Sequence, residues 1–411
     1  MANINALVPF VNHDLALKIQ NPPSPFSHIL TDIETNTYGE FSGLHYLKNN
    51  PPLTNWILEN SLPSGCIGVI CGQPGVGKGW FSYQLAAYIA AGENFLNWKV
   101  NPGNIFYLTA EESKRTVHTR SRIALFELPQ FVRDRAAPCF RSAYSDGAAN
   151  LIVQNHNKIE PSKSYFELME IVLKTQTQVL ILDTFARFFP ILEIDNQAIT
   201  TCFNLLEYLA KQTNTTILIT HHLSKEGSIY ADNDTSLKSN LNLKAIRGGT
   251  AIAGSARWAL ILVPLTSTYA DKSFGADAAD CQDGTYIAGR VIKKNEGPGE
   301  AIFYLKHNRD KDGLFEQVEL LNSDTGKSDI ERLVNEVRRR EELGEKPLSY
   351  TKGAREALGF GGTHGLKVTD RAIQKNLLVR VPSKSGRGEY LATPEFSKLY
   401  QKNLVPVPIV P

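Results

Sequence analysis

The residues with the clearest chemistry form a glycine-rich loop, Gly72-Gln73-Pro74-Gly75-Val76-Gly77-Lys78. Glycines at this spacing let backbone N–H groups curl around phosphate oxygens, and the lysine brings a compact positive charge to the terminal phosphates. An apolar run at 67–71 precedes the loop and predicts a buried strand, while residues 80–91 follow it with the apolar spacing of a helix. Strand, loop and helix are the context that this motif requires, so the sequence predicts ATP binding from Gly72 to Trp80.

One position of the loop departs from the motif. Ser or Thr usually follows the lysine, because its hydroxyl ligates Mg²⁺, but here the residue is Gly79. Ser82 lies almost one helical turn further on and does not simply replace it. Water can fill the ligand position, since Mg²⁺ keeps several waters in most sites. The alternative is a site that binds nucleotide and hydrolyses it slowly, in which case Gly79→Ser would raise the Mg²⁺-dependent rate.

Carboxylates and a histidine pair follow other predicted strands. Asp183 ends an apolar run, where it can reach Mg²⁺ or its waters at the carboxyl edge of a parallel sheet; the alternative is a helix cap. Glu111 follows another such run and can polarise a water in line with the γ-phosphate, although the adjacent Glu112 could take this role. His221-His222 closes a third run without the spacing of a zinc site, so we expect a contact to the γ-phosphate or, alternatively, a surface pair.

The composition indicates an ordinary soluble protein. The 411 residues predict two domains plus extensions, 42% are hydrophobic and 21% charged, and the net charge of +2 gives no argument for nucleic acid. Five scattered cysteines without metal-ligand spacing suit a reducing compartment. The first residues lack the pattern of a signal peptide, and no apolar run approaches the length of a membrane span. A cytoplasmic location is therefore expected, with no membrane partner.

Strands alternate with helices after the first fifty residues, which predicts an α/β fold with a mainly parallel sheet. An Asp- and Ala-rich stretch at 269–284 predicts a loop. The expected organisation is an N-terminal arm at 1–53 with a short helix near 13–20, a nucleotide-binding core at 54–322, a winged-helix-like domain at 323–403 and a Pro-rich tail at 404–411.

The C-terminal domain is predicted from helices at 329–343, 350–358 and 368–378, followed by a hairpin at 377–393. Residues 329–403 contain fifteen Lys and Arg against ten Asp and Glu, a surplus of five positive charges that favours a duplex DNA partner. The alternative is a solvated domain that binds protein. Candidate DNA contacts are, on the last helix, Arg371 and Lys375 and, at the hairpin tip, Lys384 and Arg387.

The motifs also occur in the order of a known family. They are the loop from Gly72 to Lys78, the segment Tyr107 to Glu112, the segment Leu180 to Asp183, the segment His221 to Lys225, and Arg247-Gly248-Gly249-Thr250 followed by Arg257-Trp258. Over roughly residues 54–306 the chain resembles the RecA-like hexameric ATPases of the RepA-type plasmid and phage helicases, relatives of the DnaB replicative helicases. This resemblance implies a hexameric ring with ATP between neighbours and single-stranded DNA inside.

The same resemblance implies roles for single residues. Lys78 would contact the phosphates, Asp183 would hold Mg²⁺ directly or through water, Glu111 would be the base and His222 the sensor. Cations acting on a neighbour's nucleotide would come from Arg120, from Arg247 or Arg257 as arginine finger, and from Lys293. Asn295 stands where the family has an arginine.

The sequence therefore predicts an ATP-driven DNA translocase or helicase that serves replication of a plasmid, phage or other mobile element. Glu111, Asp183 and His222 favour this function, because a site that only binds has no need of a water-activating base. Gly79 and Asn295 favour an alternative, a DNA-binding initiator or regulator that uses ATP to assemble and hydrolyses it weakly. A recombination or repair ATPase of the same fold is a third possibility.

Overall fold

The computed structural model describes Ile29 together with residues 42–147, 149–155, 158–192, 195–224, 230–274, 282–295, 300–308, 313–320, 329–353, 362–383 and 388–401. The predicted helix near 13–20, Lys384, Arg387 and the tail lie outside these residues. The chain divides into two compact units, Met1–Glu319 and Leu320–Pro411.

The first unit alternates strands and helices along the chain, as the hydrophobic pattern predicts. Its described helices are α1 (Gly43–Lys48), α2 (Lys78–Ala91), α3 (Lys114–Phe126), α4 (Gln130–Ala136), α5 (Lys163–Lys174), α6 (Phe185–Phe188), α7 (Asn196–Thr213), α8 (Asp234–Asn240), α9 (Gly249–Ser255) and α10 (Ser267–Phe274). Its described strands are β1 (Trp56–Leu58), β2 (Leu62–Pro63), β3 (Ile67–Gly72), β4 (Ile105–Thr109), β5 (Phe140–Tyr144), β6 (Ile152–Asn155), β7 (Lys158–Pro161), β8 (Val179–Asp183), β9 (Thr216–His222), β10 (Trp258–Pro264), β11 (Tyr286–Lys294), β12 (Phe303–Asn308) and β13 (Leu314–Val318).

Nine of these strands form one sheet in the order β13-β12-β11-β10-β3-β9-β8-β4-β5. The strands from β10 to β5 in this order pair in parallel, whereas β11, β12 and β13 continue the sheet in antiparallel fashion. Every residue of β3, β8 and β10 is buried, which explains their continuous apolar sequence. The predicted α/β fold with a mainly parallel sheet is confirmed.

Helices cover both faces of the sheet, and alternate strand residues belong to different cores. Val69 of β3 packs in the core that contains Phe203 of α7, while the next residue, Ile70, packs in the core that contains Phe81 of α2. The nucleotide loop thus leaves a central strand that is fixed from both sides.

Several local predictions differ from the structure. The stretch expected to be a loop contains α10, because Tyr269 and Ala270 are buried and the Ser267 backbone N–H donates to the Asp283 carboxylate at 2.7 Å. The apolar run at 216–220 predicts a strand, and the structure extends this strand to His222. Helices α3 and α4, strand β5 and the hairpin β6–β7 are absent from the sequence-based organisation, because their short or highly charged segments carry weak periodicity.

The second unit contains helices and one hairpin, namely α11 (Asp329–Leu343), α12 (Gly362–Gln374), β14 (Val379–Pro382), β15 (Glu389–Ala392) and α13 (Pro394–Gln401). β14 and β15 pair antiparallel, as the hairpin prediction requires. Helix α12 spans Gly362–Gln374 instead of the expected 368–378. Tyr350, the expected first residue of another helix, lies in a turn. A small core includes Leu333, Val368 and Leu391. The winged-helix assignment stays a prediction.

Across the described parts of both units, no helix combines the length and the apolar character needed to span a bilayer.

Candidate active site

The glycine-rich loop joins the carboxyl end of β3 to the first turn of α2. Gly75 and Gly77 adopt φ values of +80° and +94°, which side chains disfavour, so these two positions need glycine. The Gly77 carbonyl accepts the first helical hydrogen bond from the Phe81 N–H at 2.9 Å. The positive end of the α2 dipole therefore faces the loop, and this backbone fits phosphate oxygens.

Lys78 is the only cation that the loop itself supplies, and it is 7% exposed. Its Nζ donates to the carbonyls of Gly72 at 2.9 Å and Gln73 at 3.2 Å, and lies 3.4 Å from His222 Nδ1. Burial lowers the pKa of Lys78, while the negative charge of Asp183 opposes this shift. The ammonium is thus held over the loop, where terminal phosphates would lie.

Asp183 ends β8 and is 6% exposed. Its Oδ2 accepts a hydrogen bond from the Tyr107 hydroxyl at 2.8 Å, and its Oδ1 accepts one from the Thr220 hydroxyl. Thr184, and not Asp183, occupies the N-cap position of α6. The helix-cap alternative is therefore wrong, and Asp183 is held by donors from the two neighbouring strands.

The adjacent glutamates have different surroundings. Glu111 Oε1 accepts from the Thr184 hydroxyl at 3.1 Å and from Arg187 Nε at 3.4 Å, and 38% of its side chain is exposed. Glu112 is 9% exposed, forms an ion pair with Arg120 and accepts from the Tyr83 hydroxyl at 3.0 Å. Burial raises the pKa of Glu112, and Arg120 counteracts the effect. Of the two, Glu111 has the better access to a water.

The two histidines point to opposite faces of the sheet. The ring of His221 is buried against Phe185, its Nε2 lies 2.9 Å from the Arg247 carbonyl, and burial lowers its pKa to about 4. His222 instead lies beside Lys78, and burial lowers its pKa too. The surface-pair alternative is wrong for His221. Within the described ranges, no group of three or more His, Cys, Asp and Glu residues is placed to hold a metal ion.

Arg120 lies in its own chain's site, which differs from its grouping with cations that act on a neighbour. A Cβ atom built on Gly79 would lie 2.8 Å from Arg120 Nη1, 3.7 Å from Glu112 Oε1 and 3.8 Å from Asp183 Oδ2. The Arg120 guanidinium carbon is also 5.0 Å from the centre of the Trp80 ring. The glycine after the lysine is therefore covered by a guanidinium.

The other candidate cations lie in two places, Arg247 near its own chain's site and Arg257 with Lys293 at the opposite end of β3. Arg247 is near its own chain's site, because its N–H donates to the His222 carbonyl at 3.3 Å. Arg257 precedes β10, and its N–H donates to the carbonyl of Ile67 at the start of β3. Lys293 pairs with Ala259 at this same end, and its pKa is lowered by burial and by Arg257. Arg257 and Lys293 thus lie about 17 Å from their own loop, the length of β3.

The DNA-binding candidates are only partly described. Lys375 is exposed and follows α12 directly, instead of lying on it. The side chain of Arg371, like Lys384 and Arg387, lies outside the described residues. Their roles stay predictions.

Sequence reasoning missed two kinds of contact around the loop. Tyr83 and Tyr107 stack at 3.9 Å and connect Glu112 to Asp183. A buried tyrosine hydroxyl needs a partner, so a tyrosine within an apolar strand was an available signal for Tyr107.

The edge hairpin β12–β13 also reaches the loop. The ring of Phe315 lies against Gly77, and the Phe315 backbone exchanges hydrogen bonds of 2.8 and 3.1 Å with the Gln84 side chain. A Cβ built on Gly313 would meet the Trp80 ring at 2.7 Å. No periodic pattern reveals these contacts, because they join residues more than two hundred positions apart.

Part of the chain matches a family of known proteins. Residues 40–228, which contain the loop and the residues that follow β4, β8 and β9, match the AAA domain family. The chain is similar to the DNA repair protein RadA of Synechocystis, with 26% identity over 177 residues, 42% of this chain and 32% of RadA. It thus spans about a third of that relative. A KaiC-like protein of Pyrococcus horikoshii shares 15% identity at a TM-score of 0.38, over 63% of this chain and 93% of that one.

The family match and the mostly parallel sheet agree on one architecture. The first unit is an α/β core in which a glycine-rich loop leaves the carboxyl end of a central parallel strand.

Proposed function

We propose that the protein is an ATP-dependent DNA translocase or helicase that serves replication of a plasmid, phage or other mobile element. One observation carries the catalytic part. Lys78, Glu111, Asp183 and His222 follow or end four strands that are neighbours in the sheet, in the order β3-β9-β8-β4. The carboxyl ends of parallel strands meet at one edge, where α/β proteins bind ligands.

Each side chain has a role that its surroundings support. Lys78 neutralises charge on the terminal phosphates, and Glu111 holds a water and accepts its proton as the water attacks. His222, 3.4 Å from Lys78, is placed to respond to the γ-phosphate. Tyr107 and Thr220 hold the Asp183 carboxylate in place through their hydroxyl groups.

The DNA partner is supported by charge and by likeness. The second unit carries the basic surplus and combines helices with a hairpin, and the chain resembles a protein named for DNA repair. Arg257 and Lys293 lie at the edge opposite to their own loop, which suits action on a neighbouring subunit in a ring.

The test is the rate of ATP hydrolysis with and without single-stranded DNA. We expect stimulation by DNA in the wild type and loss of turnover in Lys78→Ala, while Lys211→Ala, an exposed lysine of α7, serves as the matched control. Unchanged turnover in Lys78→Ala would overturn the site.

A second experiment addresses the C-terminal unit. Deleting residues 327–411 should weaken duplex binding and flatten its salt dependence, by about 0.9 in log–log slope for each lost phosphate contact. Equal duplex affinity and equal slope in the shortened chain would favour a protein partner for this unit.

A repair or recombination ATPase is the second candidate, favoured by the likeness to RadA. Unwinding of a forked duplex in the presence of ATP would support the helicase, whereas strand exchange between homologous DNAs without unwinding would support the second candidate.

A further inference from the structure

The guanidinium of Arg120 lies where a side chain of residue 79 would be. Glycine in the first turn of a helix lowers helix stability, so its presence calls for a reason. A Cβ on Gly79 would approach Arg120 Nη1 to 2.8 Å, so a side chain at this position would require the guanidinium to move. The guanidinium thus fills the space where a serine or threonine hydroxyl would stand in the usual loop motif.

Arg120 is held firmly in this place. Its Nη1 donates to Glu112, its guanidinium lies over the Trp80 ring, and 28% of its side chain is exposed. Glu112 is fixed in turn by the Tyr83 hydroxyl at 3.0 Å. The positive charge is therefore positioned before any ligand binds.

The same arrangement fits Mg²⁺ poorly. Mg²⁺ requires oxygen ligands in octahedral geometry, and residue 79 supplies none. Each oxygen of Asp183 accepts one hydrogen bond, from Tyr107 and from Thr220, so a metal ion would share this carboxylate with both hydroxyl donors. Arg120 adds a like charge where the ion would bind, since the Cβ position of residue 79 is 3.8 Å from Asp183 Oδ2.

We propose that Arg120 replaces the metal ion in nucleotide recognition, so that the protein binds metal-free nucleoside triphosphate. The inference rests on the proposed function, because it names the cation of the same nucleotide site. Arginine has five N–H donors in a planar fork that suits phosphate oxygens, and one nitrogen, Nη1, holds Glu112. The remaining donors would bind phosphate oxygens, and Gly79 leaves room for the guanidinium.

The test is equilibrium binding of a fluorescent ATP analogue to the full-length protein, in buffers with Mg²⁺ or with excess EDTA. We expect the wild-type Kd to differ by less than about threefold between the buffers, and Arg120→Ala to weaken binding in EDTA by about tenfold or more. The matched control is Arg115→Ala, which removes the same charge from an exposed position of α3 and should bind like the wild type.

A double variant provides the converse. In Gly79→Ser with Arg120→Ala, the hydroxyl has space and the competing charge is gone, so binding should become tighter in Mg²⁺ than in EDTA by about tenfold. Serine alone would have to displace Arg120, and the gain in hydrolysis expected from the sequence is therefore not expected for Gly79→Ser.

The outcomes separate the two proposals. A wild type that binds with Mg²⁺ but loses more than about tenfold in EDTA, with Arg120→Ala no worse, overturns this inference and leaves the proposed function intact. A wild type that binds in neither buffer, or a Lys78→Ala variant that binds normally, overturns the nucleotide site itself. Circular dichroism checks that each variant folds. If Arg120→Ala does not fold, the wild-type affinities in the two buffers and the affinity of Arg120→Lys in EDTA still test the inference.

Discussion

Neighbouring residues of like type have opposite environments at the edge of this sheet. Glu111 and Glu112 differ in exposure and partners, and His221 and His222 lie on opposite faces of β9. Position after an apolar strand was enough to predict Glu111, Asp183 and His222. It was not enough to place Arg120, because nine residues beyond Glu111 the chain has turned into a helix whose direction only packing determines.

Glu111→Gln should retain nucleotide binding and lose hydrolysis by about 10²-fold or more, since an amide can hold a water but not accept its proton. Glu167→Gln, which makes the same change at an exposed position of α5, is the matched control, and Glu112→Gln is measured beside it. Measurement of both the rate and nucleotide affinity separates the two residues. If Glu112→Gln removes hydrolysis and Glu111→Gln does not, the base is one residue further along.

His221 should make stability depend on pH. Burial lowers its folded pKa to about 4, with help from the charges of Lys78 and Arg247, against 6.5 when unfolded. Between these values the unfolded chain binds a proton that the folded chain does not, so the free energy of unfolding should fall as pH decreases from 6.5 to 4. Urea unfolding of His221→Phe should show a shallower decrease, and the exposed His118→Phe an unchanged one.

The sequence predicts some of the strands and helices near the site better than others. The apolar runs predict the bounds of β3, β9, β8 and β4 closely, but the order of these strands is known only from the structure, because the right-handedness of crossovers leaves several orders possible. The antiparallel end is less accessible to sequence reasoning, because β12 and β13 reach the loop through contacts distant in sequence. Helix α10 was missed because burial of Tyr269 overrides the loop-like composition around it.

Helix α3 carries Arg120, so its first turn should affect the loop. The Ser113 hydroxyl caps α3 by accepting from the Thr116 N–H at 3.2 Å. Ser113→Ala should lower the free energy of unfolding by about 1 kcal/mol, and Ser113→Asp should restore it, because aspartate is an equally good cap. Chemical unfolding measures both. A variant with aspartate as unstable as the one with alanine would argue against the cap.

At the scale of the molecule, the first unit places the loop and two of the candidate cations at opposite ends of its parallel strands. The loop lies at the carboxyl end of β3, and Arg257 and Lys293 lie near the amino end of the same strand. Sequence alone suggested action between subunits only through resemblance, since distance along the chain says nothing about distance in space. The structure supplies a physical argument for it, as neither cation can reach its own chain's nucleotide across β3.

Mixing inactive variants tests this arrangement. Lys78→Ala lacks a working loop, and Arg257→Ala lacks the cation. In a randomly mixed ring, about a quarter of the interfaces join the intact loop of one variant to the intact Arg257 of the other. We expect DNA-stimulated ATPase activity to return on mixing. A mixture in which Lys78→Ala is paired with the double variant should stay inactive, and activity that never returns would place Arg257 outside the catalytic unit.

Through the contact of Phe315 with Gly77, ligand binding at the loop should be coupled to the stability of the β12–β13 edge of the sheet. Any opening of β12–β13 that withdraws Phe315 also loosens the loop, so a ligand that needs the ordered loop must oppose that opening. At a ligand concentration of a hundred times Kd, linkage adds about 2.7 kcal/mol to the opening free energy. Backbone amides of Leu314–Val318 should then exchange with deuterium up to about a hundredfold more slowly, which would let a strand remote in sequence report occupancy of the loop.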